Sequence, residues 1–416
     1  MGPPPKVNTT SGDPGRTNGR STTAPAERGD PRYITTPLLA LMAVACGVIV
    51  ADIYYSQPLL PELARDLRIS DATAGLAVTA TQLGFATGLL FLVPLGDLVA
   101  RRRLVVLLLT VSAFALAAVS LAPGPTVLLA ALAVVGLTSC AVNVLVPFAA
   151  ALAPPERRGR VVGTVMTGLL LGVLLSRTVS GQLAELAGWR TVYRVAAVAI
   201  VLLAVVLHRR LPDLPPADQS RYPALLRSIV GLLRTTPLLR RRIAYGALGF
   251  ASFSLLWTAV PFLLAGPPYH YPTSVIGLFG LVGAAGVLCT QVAGRLLDRG
   301  WVRQGTLLFV ALITGSWAVL TAEVHLVPLL IGIVLLDLGV QGLHVLNQAR
   351  IYSIGARVHS RVTTAYMVGY FAGGTFGSGL AIVTYQHGGW AWVCLSGVVL
   401  GAVSIVLWLT DRNDKE

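Results

Sequence analysis

Three ionisable side chains stand inside apolar stretches of the chain. Asp52 lies in VIVADIYYSQPLLPEL, Arg177 in GVLLSRTVSG and Asp337 in IGIVLLDLGVQGLHVLNQ. The run from Val161 to Leu175 carries no charge, and from Val179 to Leu186 the chain stays mostly apolar. A lone guanidinium in hydrocarbon costs roughly 2.5–3.5 kcal/mol on insertion scales. Such a group has either a counter-charge or a task. The chemistry open to these residues is ion pairing, proton transfer and capture of a charged ligand group. Bond-breaking chemistry has no constellation to carry it: the chain has no HExxH, no nucleophilic serine set with a histidine base and no GxxxxGK[ST] phosphate loop.

A second group forms a stripe. Asp337, Gln341, His344 and Gln348 are spaced 4, 3 and 4 apart, which puts them on one face of a helix. Leu335, Leu336, Leu338, Val340, Leu343, Val345 and Leu346 fill much of the remainder. Hydrogen bonding between helices, at about 1 kcal/mol or less per contact, would account for one buried glutamine. Four polar groups in a row, two of them ionisable, fit a polar wall better. His344 reads either as a neutral, hydrogen-bonded side chain or as a proton carrier; Asp337 is the stronger candidate for the carrier.

The elements that hold these residues follow from composition. Of 416 residues, 55% are apolar and 12% charged, against about 25% charged in a soluble domain. Apolar runs of about 20 residues, long enough to cross a bilayer as helix, alternate with charged clusters. Lipid offers the backbone no hydrogen bonds, and the runs lack the period-two alternation of a barrel strand, so they are helices. Twelve spans are expected, at roughly 36–58, 73–95, 104–122, 126–152, 161–186, 190–208, 242–265, 274–296, 305–322, 327–352, 361–386 and 389–410. The fold class is thus an all-α membrane protein. Residues 1–33, rich in Pro, Gly, Ser, Thr and Arg and without an apolar centre, read as a disordered cytoplasmic tail rather than a signal peptide. Residues 411–416 form a second short tail.

A net charge of +14 raises the question of nucleic acid, but the basic residues are spread over every expected cytoplasmic loop instead of forming one face. With both termini inside, Arg65, Arg68, Arg190 and Arg194 lie outside, Arg177 lies in the membrane, and the other 27 of 32 Lys and Arg are cytoplasmic. That bias orients the chain. Cys46, Cys140, Cys289 and Cys394 are isolated within apolar spans, so neither a disulfide nor a metal centre is indicated, and no cofactor is expected.

The chain repeats itself. At an offset of 201, Asp97 falls on Asp298, Arg160 on Arg361, Val161 on Val362, Met166 on Met367, Gly168 on Gly369, Gly172 on Gly373, Gly188 on Gly389 and Trp189 on Trp390. One offset holding over three separate regions implies two six-helix bundles running in the same sense, 34–208 and 242–410. Residues 209–241 then form a cytoplasmic linker, with an amphipathic surface helix expected from Pro223 to Leu233. Two parallel repeats with a site between them near mid-membrane are the plan of a rocking carrier.

On these residues the chain resembles the major facilitator superfamily over all but its tail. The family signature after helix 2 is Gly-xxx-Asp-Arg-x-Gly-Arg/Lys-Arg/Lys; here VPLGDLVARRR matches at Asp97, Arg101 and Arg102, while GRLLDRGWVR in the second half keeps Gly294, Asp298 and Arg299. The resemblance makes Asp97, Arg101, Arg102, Asp298 and Arg299 a cytoplasmic gate, each acid held by arginines and facing a helix N-terminus of the other half. The arginines are equally explained by topology; the acids are not. The fifth span resembles the Gly-xxx-Gly-Pro-xx-Gly-Gly pattern of proton-driven exporters, read here as Gly172-xxx-Ser176-Arg177-xx-Ser180-Gly181, with Arg177 in place of proline. Gly172, Ser176, Ser180 and Gly181 are expected to let another helix approach closely.

Thr36 to Asp52 and Val161 to Arg177 are both 16 residues, so both side chains lie about 24 Å along their helices. The family fold sets helix 1 beside helix 5, which adds proximity and implies an Asp52–Arg177 pair. That pair reads as a structural lock or as a switch in which proton and substrate compete for Asp52. Since the family lines its cavity with helices 1, 4, 7 and 10, the resemblance makes the stripe a substrate-facing wall. Asn143, the repeat partner of His344, joins it with Ser139, Tyr55, Ser56 and Trp257, a mixed polar and aromatic lining suited to small amphipathic molecules. The function implied is secondary active transport of a small organic solute across the cell membrane by a single chain, most simply efflux in exchange for protons. Proton-coupled uptake and a non-transporting receptor of the same fold are the alternatives.

Overall fold

The computed structural model describes residues 34–214, 222–355 and 358–410, with Gly2. The tails expected at 1–33 (Gly2 apart) and 411–416, and residues 215–221 of the expected linker, lie outside the described residues. The described chain is helical, with no strand among the described residues. The elements before the linker are α1 (Thr36–Ala51), α2 (Ser56–Asp66), α3 (Asp71–Phe91), α4 (Leu95–Leu98), α5 (Arg101–Ser120), α6 (Pro125–Ser139), α7 (Val142–Ala151), α8 (Arg158–Ala187) and α9 (Trp189–Arg210). Then come α10 (Tyr222–Thr235), α11 (Pro237–Ala265), α12 (Thr273–Leu278), a 3₁₀ segment (Phe279–Leu288), α13 (Cys289–Asp298), α14 (Val302–Leu320), α15 (Leu326–Tyr352) and α16 (His359–Thr410).

Among the described residues, ten helical stretches are long and apolar enough to cross a membrane, and Thr273–Gly283 is a shorter apolar piece. Large apolar side chains stand exposed along them, among them Leu107, Phe114, Leu202 and Val406, an arrangement that calls for an apolar solvent. The span expected at 274–296 is not one α-helix: α12 and α13 flank the 3₁₀ segment FGLVGAAGVL. Each glycine costs a helix interior up to about 1 kcal/mol, and three of them at every third position suit the three-residue turn of 3₁₀ geometry. The last two expected spans run on as α16, broken at Gly388 and Gly389.

The repeat is visible in the packing. Gly168 and Gly172 on α8 meet the backbone of Ala43 and Gly47 on α1; Gly369 and Gly373 on α16 meet Ile243 and Ala247 on α11. Small residues allow this approach, which gives helices without a hydrophobic drive a large contact surface. The paired Gly-Trp motifs play one role too. Gly188 (φ 79) ends α8 and Gly389 (φ 62) breaks α16, both in the left-handed φ range that glycine adopts freely. Each buried Trp that follows is anchored through its indole N–H, Trp189 to Asp66 Oδ2 at 2.9 Å and Trp390 to the Leu320 carbonyl at 2.8 Å. The expected amphipathic linker helix forms as α10. It buries Leu225 and Ile229, leaves Arg227 and Arg234 exposed, and donates from Tyr222 Oη to the Phe91 carbonyl at 2.8 Å.

One apolar core gathers the first repeat together with Phe250, Tyr366, Tyr370 and Phe371 from the second, and another gathers α11 to α16. Aromatic pairs join the two repeats, Phe85 with Phe371 at 4.3 Å between ring centres.

Candidate functional site

Arg177 is 4% exposed and points from α8 toward the second repeat. Its Nε donates to Gln57 Oε1 at 2.5 Å. Its guanidinium carbon lies 4.3 Å from the ring centre of Trp257, 4.9 Å from Tyr54 and 5.6 Å from Phe253. Aromatic faces carry negative potential and suit a desolvated cation. Trp257 then donates from Nε1 to Asp337 Oδ1 at 3.3 Å. Arg177 and Asp337, on different repeats, thus share one indole.

The 3₁₀ segment makes room for them. Its glycines at 280, 283 and 286 recur with the turn of that helix. A methyl group at Gly280 would lie 2.7 Å from Arg177 Cβ, one at Gly283 2.6 Å from Asp337 Oδ2, and one at Gly286 3.0 Å from Gln341 Cγ. The segment thus lays a strip without side chains over three of the polar groups.

The expected Asp52–Arg177 pair is not formed. The two make no ion pair, and among the described residues neither carboxyl oxygen of Asp52 has a hydrogen-bond partner. Equal rise along two helices matches depth but leaves direction open. The helix breaks after Ala51, and Asp52 is buried there at 1% exposure while Arg177 faces α11. Ser56 Oγ and Tyr193 Oη are also buried without a partner.

On α15 the stripe keeps its four residues, Asp337 buried and Gln341, His344 and Gln348 half-buried. His344 Nδ1 pairs with Tyr366 Oη at 3.0 Å, and its ring lies 4.6 Å from that of Tyr370. Asn143 is half-buried on α7. Ser139 is buried at the end of α6, where its hydroxyl donates to the Val135 carbonyl of its own helix at 2.8 Å. Half-buried Tyr55 lines an apolar groove of about 680 Å³ between α1 and α8 with Gly47, Gly168 and Ser176.

Gly172 and Gly181 pack different partners. Gly172 sits on Gly47 within its own repeat, whereas a methyl at Gly181 would lie 2.7 Å from the Thr273 carbonyl of α12. Ser176 and Ser180 donate back to Val173 and Arg177 carbonyls, at 2.8 and 3.1 Å. Further bonds cross between repeats here: Thr178 Oγ1 to the Gly277 carbonyl at 3.1 Å, Gln182 Nε2 to Ser274 O at 3.2 Å, and Thr79 with Ser378 at 2.9 Å.

At the expected gate, Arg101 Nη2 holds Asp97 Oδ1 at 3.0 Å and its Nε donates to the Gly96 carbonyl. Arg102 Nη1 donates to the Leu211 carbonyl at 3.4 Å, and Arg299 lies over Trp301. Asp298 is exposed. None of these contacts joins the two repeats, so among the described residues the expected contact of each acid with the other half is not made. Among the described residues no group of three or more His, Cys, Asp or Glu is placed to hold a metal ion.

Sequence reasoning missed Gln57, Tyr54, Phe253, Tyr366 and Tyr370. Phe253 and Trp257, like Tyr366 and Tyr370, are four apart, an aromatic pair on one helical face that could have been read.

Comparison places this geometry among known proteins. The family model described as Major Facilitator Superfamily matches residues 42–353. The uncharacterized transporter YgaY of Escherichia coli O157:H7 is 46% identical over 388 residues, spanning 93% of this chain and 98% of its own. A probable transporter of Streptomyces coelicolor is 34% identical over 408 residues, spanning 95% of this chain and 93% of its own. Among solved structures, an inward-facing, occupied bacterial homolog of the human lysosomal transporter Spinster matches with TM-score 0.72 at 13% identity, covering 92% of this chain and 97% of that one.

Proposed function

The chain belongs to the major facilitator superfamily, and from that premise we propose that it exports a small organic solute across the cell membrane in exchange for protons, by alternating access. It is a multi-pass membrane transporter by family; the direction, the coupling and the solute are our reading. In it, the chain crosses the bilayer twelve times, with Thr273–Gly283 continuing into α13 as one crossing and α16 counted as two. Both termini are cytoplasmic, residues 34–208 and 242–410 form the rocking bundles and 209–241 link them. One chain suffices.

The observation that carries this reading is the bridge from Arg177 on α8 through Trp257 on α11 to Asp337 on α15. Opposite charges on two repeats attract through a buried medium of low dielectric, where the attraction is strong. A proton on Asp337 removes that attraction. Proton binding is thereby tied to the contact between the bundles. Asp52, a buried carboxyl without a hydrogen-bond partner, is the second proton carrier in this scheme. The bonds from Thr178, Gln182 and Thr79 across the repeats lie at the end that the positive-inside bias assigns to the outside, so we take this arrangement as closed outward. Among the described residues the gate acids hold no partner in the opposite bundle, in keeping with an opening inward. Export rather than uptake is favoured by the likeness of Gly172 to Gly181 to the exporter pattern.

The test is flux. Purified protein in proteoliposomes, screened against organic solutes, is expected to drive solute movement when a pH gradient is imposed. Flux that ignores the gradient removes the coupling; no solute flux in cells lacking their own pumps or in vesicles removes the transporter reading.

A further inference from the structure

From the same site, and resting on the transport reading above, we infer that Arg177 and Gln57 hold the anionic head of the solute, which is a small organic carboxylate.

Two buried donors carry the inference. Gln57 is 1% and Arg177 4% exposed, yet among the described residues Gln57 Nε2 and Arg177 Nη2 have no hydrogen-bond partner. Buried donors left unpaired are costly, and native structures leave few of them. Turning the amide of Gln57 over does not help. A guanidinium only donates, so the oxygen must be the atom that meets Arg177 Nε at 2.5 Å, and the amide nitrogen is left over. The bond that joins the two residues therefore leaves both with donors and no acceptor. Asp52, which has acceptor oxygens to spare, makes no ion pair with Arg177.

The group that completes such a site accepts and does not donate. Tyr54, Phe253 and Trp257 stand 4.3 to 5.6 Å from the guanidinium carbon, and the unpaired Nη2 is the donor left for a ligand. Edge-on recognition of a planar, two-oxygen acceptor is what arginine does with carboxylates. The same three rings offer apolar surface to the rest of the molecule, and aromatic walls with a few placed polar groups describe an organic ligand site. A cationic solute finds the opposite: its charge would meet the guanidinium, and one oxygen of Asp337 is already engaged by Trp257.

The experiment is ligand binding to the purified full chain in detergent, read by thermal unfolding and by tryptophan fluorescence. The probes are benzoate and 1-naphthoate, their carboxamides, and benzylamine. The carboxylates are expected to raise the unfolding midpoint, and the amides and benzylamine to leave it in place. Gln57→Glu supplies an acceptor from the chain itself, so it is expected to fold and to lose at least about tenfold in carboxylate affinity. Arg177→Lys keeps the charge without the fork and is expected to lose a similar factor. Carboxylates acting no differently from their amides, benzylamine alone stabilising, silence of every probe, or wild-type affinity in Gln57→Glu each overturns the subsite. Binding needs no flux. Carboxylate binding without transport in vesicles leaves this site standing and removes the transporter, whereas benzylamine transport without carboxylate binding does the reverse.

Discussion

Trp257 donates its indole N–H to Asp337 at 3.3 Å while its ring face lies 4.3 Å from the Arg177 guanidinium carbon. One side chain thus serves an anion with its edge and a cation with its face, which is how an indole's charge is distributed. The neighbouring glycine strip brings the 3₁₀ segment into contact with both side chains, at Gly280 for Arg177 and Gly283 for Asp337.

Trp257→Phe separates the two services. It keeps an aromatic face and deletes the donor. At 3.3 Å the bond is long, so its contribution is near the lower end for a charged acceptor, about 1.5 kcal/mol, or roughly tenfold. Initial flux in proteoliposomes is expected to fall by about that factor in Trp257→Phe, and further in Trp257→Ala, which loses the face too. Equal rates in Trp257→Phe and wild type would show that the bond to Asp337 plays no part.

Asp337→Asn removes the charge that draws Arg177 across the seam. With no proton to gain at this position, net flux under a pH gradient is expected to lose its pH dependence. Exchange of labelled for unlabelled solute at equal pH is expected to continue. Asp52→Asn tests the second carrier in the same assay. Gradient-driven flux that stays at wild-type level in both variants, at matched expression, rules out either carboxyl as a carrier.

How far these features were legible depends on whether they are local. The burial of Arg177, the polar stripe from Asp337 to Gln348 and the 201-residue repeat were all legible, because hydropathy, periodicity and self-similarity are written along the chain. The repeat paired Gly172 with Gly373, and in the structure both are close-packing glycines, Gly172 on Gly47 and Gly373 on Ala247. The partner of Arg177 was not legible. Counting residues from a helix start fixes depth, but rotation about the axis decides whether a side chain meets Asp52 or Gln57, five residues on and past a helix break. Trp257 reaches Arg177 only once the two repeats dock, and no local pattern encodes that. The 3₁₀ segment lies between. Its glycines at every third position were visible, but their meaning comes from what lies beneath them.

Gly280 tests that meaning. A methyl there would lie 2.7 Å from Arg177 Cβ and 3.1 Å from its Cδ, atoms of the stem that cannot swing aside as a tip can. Gly280→Ala is expected to destabilise by about 1–3 kcal/mol, the usual range for overpacking, and to depress flux. Gly315 on α14 is the control, since nothing lies within 4 Å of a methyl there. Gly315→Ala is expected to be neutral or to gain up to about 1 kcal/mol from helix propensity. Thermal unfolding of both variants in detergent decides the matter: if Gly280→Ala melts with Gly315→Ala, the strip is not a close contact.

Asp97 separates stability from motion. Its bond to Arg101 is an i,i+4 pair with side-chain exposures of 16% for Arg101 and 35% for Asp97, and ion pairs open to solvent contribute about 0–1 kcal/mol. As a structural contact it matters little, and Asp97→Asn is expected to move the unfolding midpoint hardly at all. As a gate acid it matters when the bundles close on the cytoplasmic side, where its charge would meet a helix N-terminus of the other half. The outward-open state is then the one that loses support. Asp97→Asn is therefore expected to slow flux severalfold while stability holds, and to lower labelling of a cysteine introduced at Ser274, whose side chain is not used at the seam that must open. A variant that transports at the wild-type rate, or one whose flux and midpoint fall together, would return Asp97 to a purely local role in holding the loop between α4 and α5.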